Sequence, residues 1–177
     1  MHRRLLLDVL QRYLAAHPED LVRVDHIRQF VRQRPDCFDR SCGEGHITAA
    51  AWVVTPDRSR VCLVHHKKLD RWLQPGGHAD GETDPAVVAM AEACEETGLD
   101  GLRLLGDLPL DVDVHEIPAH GGIPAHLHHD IRYLVEAPAG QQPRVSDESH
   151  DVRWFEAGSL NDILDEPSLL RMWARAR

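Results

Sequence analysis

A chain of 177 residues, 42% hydrophobic and 28% charged, is long enough for one ordinary domain with a proper core and a small appendage. Its formal net charge of -9 argues against a nucleic-acid backbone or an anionic membrane as main partner, but not against an anionic small molecule bridged by a metal. Four cysteines (Cys37, Cys42, Cys62, Cys94) do not make a disulfide framework, and the apolar start is broken by Asp8, Gln11 and Arg12 too early for a signal peptide, so a cytoplasmic setting with no membrane span is expected.

Leu5, Leu6, Val9, Leu10, Tyr13 and Leu14 recur at helical spacing, so residues 1–16 read as an amphipathic helix ending near His17-Pro18. A second helical pattern (Leu21, Val24, Ile27, Phe30, Val31) stops at Pro35. The two form a helical extension over residues 1–43, ahead of a domain over 44–177. "PDCFDRSCGEGH" is a loop by its Gly, Ser and Asp content. The β-branched stretches "ITAAAWVV" and "RVCLVHH" read as strands joined by the turn "TPDRS". "RWLQPGG" reads as a strand running into a glycine turn. Asp84-Pro85 starts a helix as cap and first-turn proline, and Gly98 stops it. Strands follow at 112–117, 126–136 and 152–155, with the irregular "PAHGGIPAH" between the first two. Helical pieces around 160–164 and from Pro167 onward close the chain. Helices, strands, a central helix, strands and helices together indicate an α+β fold, a mixed sheet covered by helices.

Between Trp72 and Leu102 stand seven carboxylates (Asp80, Glu82, Asp84, Glu92, Glu95, Glu96, Asp100) and no Lys or Arg. On the central helix Glu92, Glu95 and Glu96 fall within an arc of about 100°. Val87, Met90, Ala91 and Cys94 form a different stripe, expected to face the core. A solvated acidic face is the plain reading, but such a face normally interleaves cations at i+4. Carboxylates late in a helix also oppose its dipole. A divalent cation such as Mg²⁺ or Mn²⁺ removes both penalties, since hard oxygen ligands on one face suit it. Gly76-Gly77 lets the backbone approach a ligand, and Gly81-Glu82 brings back another carboxylate.

Gly76 to Glu82, and Glu92-Ala93-Cys94-Glu95-Glu96-Thr97-Gly98-Leu99, resemble the two halves of the Nudix box, the loop-helix-loop signature of Nudix hydrolases. Two departures stand out. One extra residue separates Glu82 from Glu92, and Ala91 stands where the box has an arginine that in the family holds a glutamate. His78 or Arg103 is the expected replacement. "HHKKLDRWLQPGG" and "ESHDVRWF" resemble the family's neighbouring strands, extending the likeness over residues 46–160. The resemblance implies a Nudix-like α/β/α sandwich with a mixed β-sheet behind the N-terminal extension. It also implies a pyrophosphohydrolase that cleaves a nucleoside diphosphate linked to another group, by attack of metal-activated water on phosphorus. Glu92 and Glu96 would be the principal metal ligands, Glu95 a ligand or base, and Glu82 an outer support or further ligand. Glu148, with Asp147 behind it, would be the later carboxylate that completes the site. Gly76, Gly77 and His78 would face the substrate.

In "HLHHDIRYLV", alternation puts His126, His128, Asp130 and Arg132 on one strand face and Leu127, His129, Ile131 and Tyr133 on the other. His128 or Arg132 would touch phosphate there, unless that face simply meets solvent. His65-His66-Lys67-Lys68 reads more simply as a solvated turn than as a phosphate patch. Cys37, Cys42 and His46 have a loosely zinc-like spacing without an obvious fourth ligand. Trp52, Trp72 and Trp154 are expected in the core. Two alternatives accompany the hydrolase: a Nudix-like nucleotide sensor without turnover, and, less favoured, an isopentenyl-diphosphate-isomerase-like enzyme. "GGH" resembles the metal-binding histidine region of those isomerases, but their chemistry needs a cysteine where Gly77 stands. The first helix suits packing on its own sheet or a homodimer contact. The second substituent of the substrate is expected to be read outside the box, chiefly by residues 106–125 and the N-terminal helices.

Overall fold

The computed structural model describes residues 2–147, 149–164 and 166–177. In chain order the elements are α1 (Arg4–Ala16), α2 (Leu21–Gln33), β1 (Gly45–Val54), β2 (Arg60–His66), β3 (Arg71–Leu73), β4 (Gly76–His78), α3 (Pro85–Thr97), β5 (Arg103–Leu104), β6 (Asp111–Ile117), β7 (His126–Glu136), β8 (Ser149–Glu156), α4 (Leu160–Ile163) and α5 (Pro167–Ala176). The sheet runs β3-β2-β1-β7-β5, with β4 also on β1, β6 on β7 and β8 on β2. β1 and β7 are parallel, and every other pair is antiparallel.

β1 is buried along its whole length, so both of its faces must be covered. Alternation divides them. Ile47, Ala49, Ala51 and Val53 join a core with Leu6, Leu10, Tyr13, Val24, Ile27 and Val31 of the two N-terminal helices and with Val88, Ala89 and Ala93 of α3. Trp52 and Val54 face the other way, into a second core with Leu160, Leu164, Leu169, Met172 and Trp173. Helices on both faces of a mixed sheet are the sandwich expected from the sequence. The apolar stripe of α1 is taken up by this chain's own sheet.

Three local expectations change. Of the stripe Val87, Met90, Ala91, Cys94 only Met90 packs against the core, because Val87, Ala91 and Cys94 are exposed and the buried face is Val88, Ala89, Ala93, Glu96 and Thr97. Small residues there let α3 lie close against the alanines of β1, and that rotation turns Glu96 inward. Gly76-Gly77 is no turn but the body of β4, paired with Ala50 and Ala49. Strand β5, only two residues long, has no periodicity from which to predict it. The cap predictions hold: Asp84 accepts from the Ala86 amide at 3.0 Å, and Gly98 closes α3 at φ 61°.

A buried ionic network ties the sheet to the terminal helices. Arg132 is 2% exposed and donates to Asp130 at 2.7 Å and to Asp111 and Asp113 at 3.3 Å. Arg171 reaches Asp111 and Asp113 at 2.8 Å, and Arg175 joins Asp111 at 2.6 Å to Asp20 at 2.8 Å. Burial alone would raise the Asp113 carboxyl, but His115, Arg132 and Arg171 hold it well below the usual carboxylate range.

Candidate active site

A cleft of about 710 Å³ opens where α3 meets β4. Glu92, Glu95 and Glu96 form one wall, with Gly76, Gly77 and His78 beneath them. Glu96 is 7% exposed, and its Oε2 accepts the Gly76 amide at 2.9 Å. The close approach explains both glycines. A Cβ on Gly77 would stand 2.1 Å from Glu92 Oε1, and one on Gly76 would stand 2.6 Å from the Ala50 Cβ. The sequence thus places the carboxylates, and the bare backbone lets them in.

The acidic segment is handled one carboxylate at a time. Glu82 is exposed and accepts the amides of Thr83 and Asp84 at 2.6 and 2.9 Å. It does not line the cleft, so the structure separates it from the three helical glutamates. Asp84 caps the helix. Asp80 is gripped by Arg40, whose Nε donates to it at 2.6 Å and which holds its carboxyl below the usual range. Beyond the last turn of α3, Arg144 donates to the Gly98 carbonyl at 2.9 Å, placing a cation at the negative end of the helix.

Neither expected replacement for the box arginine fills that role. Arg103 pairs with Glu136 at 2.7 Å, away from the cleft. His78 is lowered by burial and then by Arg40, which makes it a poor cation. The Gly76 amide orients Glu96 instead, and Arg40 carries the positive charge that faces the cleft. Sequence reasoning missed Arg40 because it lies 40 residues from Asp80 in an irregular loop.

Histidines build the opposite wall. His128 and Asp130 of β7 and His115 of β6 line the cleft, and His46 and His78 stand beside His128 with ring centroids 4.8 and 5.1 Å from it. Burial and then the neighbouring rings push His46 to about 4 and His128 to about 2. Asp130 is fixed by Thr48 Oγ1 at 2.9 Å and by Arg132. Arg132 itself, expected at a phosphate, is enclosed by three aspartates and does not line the cleft. The alternation on β7 holds: His129 points to the other face and stacks on Phe30, with centroids 3.9 Å apart. Of the basic turn, His66 and Lys68 do reach the cleft, whereas His65 stacks on Trp72. Cys37 and Cys42 are buried, and His46 meets histidines rather than those thiols. No cysteine lines the cleft among the described residues. Glu148 lies outside the described residues.

The profile of the NUDIX domain matches residues 45–175, which is well over half of the chain. The chain belongs to the NUDIX family. Solved structures agree on the fold. A C. elegans Ap4A hydrolase in a binary complex superposes with a TM-score of 0.59 at 17% identity, over 73% of this chain and 93% of that one. A NUDIX-family hydrolase from Clostridium perfringens gives 0.59 at 20% identity, over 74% and 95%. The E. coli dihydroneopterin triphosphate pyrophosphohydrolase gives 0.55 at 17% identity, over 73% and 89%. The NUDIX match begins at β1 and leaves α1 and α2 outside it, although both helices contribute to the same core.

Proposed function

We propose that this NUDIX protein is a pyrophosphohydrolase that cleaves a nucleoside diphosphate linked to another group. The observation that carries this reading is the meeting of Glu92, Glu95 and Glu96 on one wall of the cleft, with Glu96 fixed by the Gly76 amide. An all-oxygen set of three carboxylates fits Mg²⁺ or Mn²⁺. When bound, such an ion screens the diphosphate charge and acidifies water. Glu92 and Glu96, drawn inward, are the ligands in this reading. Glu95 is the most exposed of the three and is free to accept a proton from the attacking water. Glu148 stays a second candidate for that base. Arg40 and Lys68 line the cleft and draw the phosphates in, and His128 and Asp130 shape the far side.

Two of the similar structures are named as an Ap4A hydrolase and a dihydroneopterin triphosphate pyrophosphohydrolase, which supports a small phosphoanhydride such as a nucleoside diphosphate derivative as substrate. No described helix is long and apolar enough to cross a membrane, in keeping with a cytoplasmic enzyme. The isomerase alternative loses ground, since its reaction needs a cysteine that the cleft does not offer. The test is phosphate release from a panel of ADP-ribose, a dinucleoside polyphosphate, an oxidised nucleoside triphosphate and a nucleotide sugar, with Mg²⁺ or Mn²⁺. Metal-dependent turnover abolished in Glu96→Gln is the expected result. Tight binding without turnover of any compound would instead make the protein a nucleotide sensor.

A further inference from the structure

We propose that His46, His78 and His128 bind a transition-metal divalent cation, best matched by Zn²⁺, at a site separate from the glutamates. The three histidines come from three adjacent strands and share one sheet face. His46 on β1 lies directly opposite His128 on the parallel strand β7. His78 on β4 lies opposite Thr48, two residues further along β1 and on the same face. One ring nitrogen from each lies within 4.8 Å of the others. A tetrahedral ion with Zn–N bonds near 2.1 Å needs nitrogens about 3.4 Å apart, so the three rings would draw together on binding.

Ring nitrogens of two of the three histidines also lack well-formed partners. His46 is 3% exposed, and its ring nitrogens make no well-formed hydrogen bond among the described residues, the Cys42 backbone being the one polar group that acts on the ring. His128 Nε2 is likewise buried and unpaired. Buried polar atoms are normally satisfied, so unpartnered nitrogens on two buried histidines of one close-set trio call for a partner. Imidazoles suit Zn²⁺ and its neighbours in the transition series, whereas the carboxylates of α3 suit Mg²⁺ or Mn²⁺. His78 and His128 line the cleft, so the fourth position opens towards it, as in sites that keep one place for water or a substrate oxygen.

The experiment is titration of the chelator-stripped full chain with Co²⁺, read by visible absorption, followed by displacement with Zn²⁺. One equivalent should give the intense bands of four-coordinate cobalt, and Zn²⁺ should erase them. The bands should persist in the Glu92→Gln, Glu95→Gln, Glu96→Gln triple variant, which removes the hard-cation site. They should vanish in His46→Gln/His128→Gln. If that double variant does not fold, His78→Asn carries the test, because His78 is only half-buried on a short edge strand. In it the affinity for Co²⁺ should fall at least tenfold with the circular dichroism spectrum unchanged. Folded wild type that takes up neither ion at micromolar protein overturns the proposal. So do bands that survive the histidine substitutions or disappear with the glutamates. Because the readout is metal uptake, failure here leaves the hydrolase reading standing, and loss of turnover in Glu96→Gln leaves this one standing.

Discussion

The two walls of the cleft are built by opposite means. The α3 wall takes its three glutamates from five consecutive residues and orients the innermost through a single backbone amide. The facing wall takes His78, His115, His128 and Asp130 from three strands, with His46 buried beside His128, and behind it stands a network of Asp111, Asp113 and three arginines. The first is a local device that helix geometry specifies. The second exists only once strand register is set, because a shift of one residue would turn every side chain to the other face.

Removing Arg132 should break the far wall most severely. Arg132→Met leaves buried aspartates short of a partner and should cost about 3–5 kcal/mol, read as a lower urea midpoint. The same network sets an acid limit. Asp113 titrates below its ordinary value of 3.8 in the folded chain, so its contribution is present above that pH and is lost as pH falls below it. Melting temperature in the wild type should therefore hold down to about pH 4 and drop as the pH falls further. A variant with unchanged urea midpoint would show that packing, not charge, holds this wall.

On the near wall the effect should move from stability to rate. Glu92→Gln should keep the melting temperature and lose roughly a hundredfold of metal-dependent turnover. The two glycines beneath sharpen the contrast, since they differ in what a methyl group would strike. In Gly76→Ala the added Cβ meets Ala50 and the Ala49 carbonyl, so the backbone must shift, at about 1–3 kcal/mol of stability. In Gly77→Ala its three nearest atoms all belong to the carboxylate of Glu92, which can swing away. The fold should then survive, with about tenfold lower turnover as the misplaced carboxylate's signature. Equal stability losses in both variants would contradict this division.

The near wall was legible in the sequence because its information is contiguous: cap, glutamate spacing and terminal glycine all lie within residues 84–98. Even so, the helix's inward face was misjudged, since hydrophobicity alone favoured Val87 and Cys94 over the small Ala89 and Ala93 that permit close approach. The polar face of β7 was also legible, as its alternation fixed which histidines share a side. Nothing in the sequence told that Arg132 would find three aspartates, or that His46 would stand opposite His128. The first depends on the pairing of β6 with β7, the second on the pairing of β1 with β7. Arg40 escaped for the same reason. The missing arginine of the box was sought near the helix, whereas the structure supplies a cation from an upstream loop.

That cation gives the mildest test of how the walls cooperate. Arg40 is exposed and holds Asp80 with two parallel hydrogen bonds, so the pair itself is worth no more than about 1 kcal/mol. Arg40→Gln should shift the melting temperature little. Its consequence lies in the field of the cleft, where Arg40 is one of two cationic side chains facing three glutamates. Losing it should raise KM for a diphosphate substrate a few-fold at low ionic strength and leave kcat close to wild type. Added salt should shrink the difference between the two proteins, because screening weakens an exposed charge in both. A drop in kcat that salt does not alter would instead place Arg40 on the reacting phosphate, and would make the loop before β1 part of the catalytic wall.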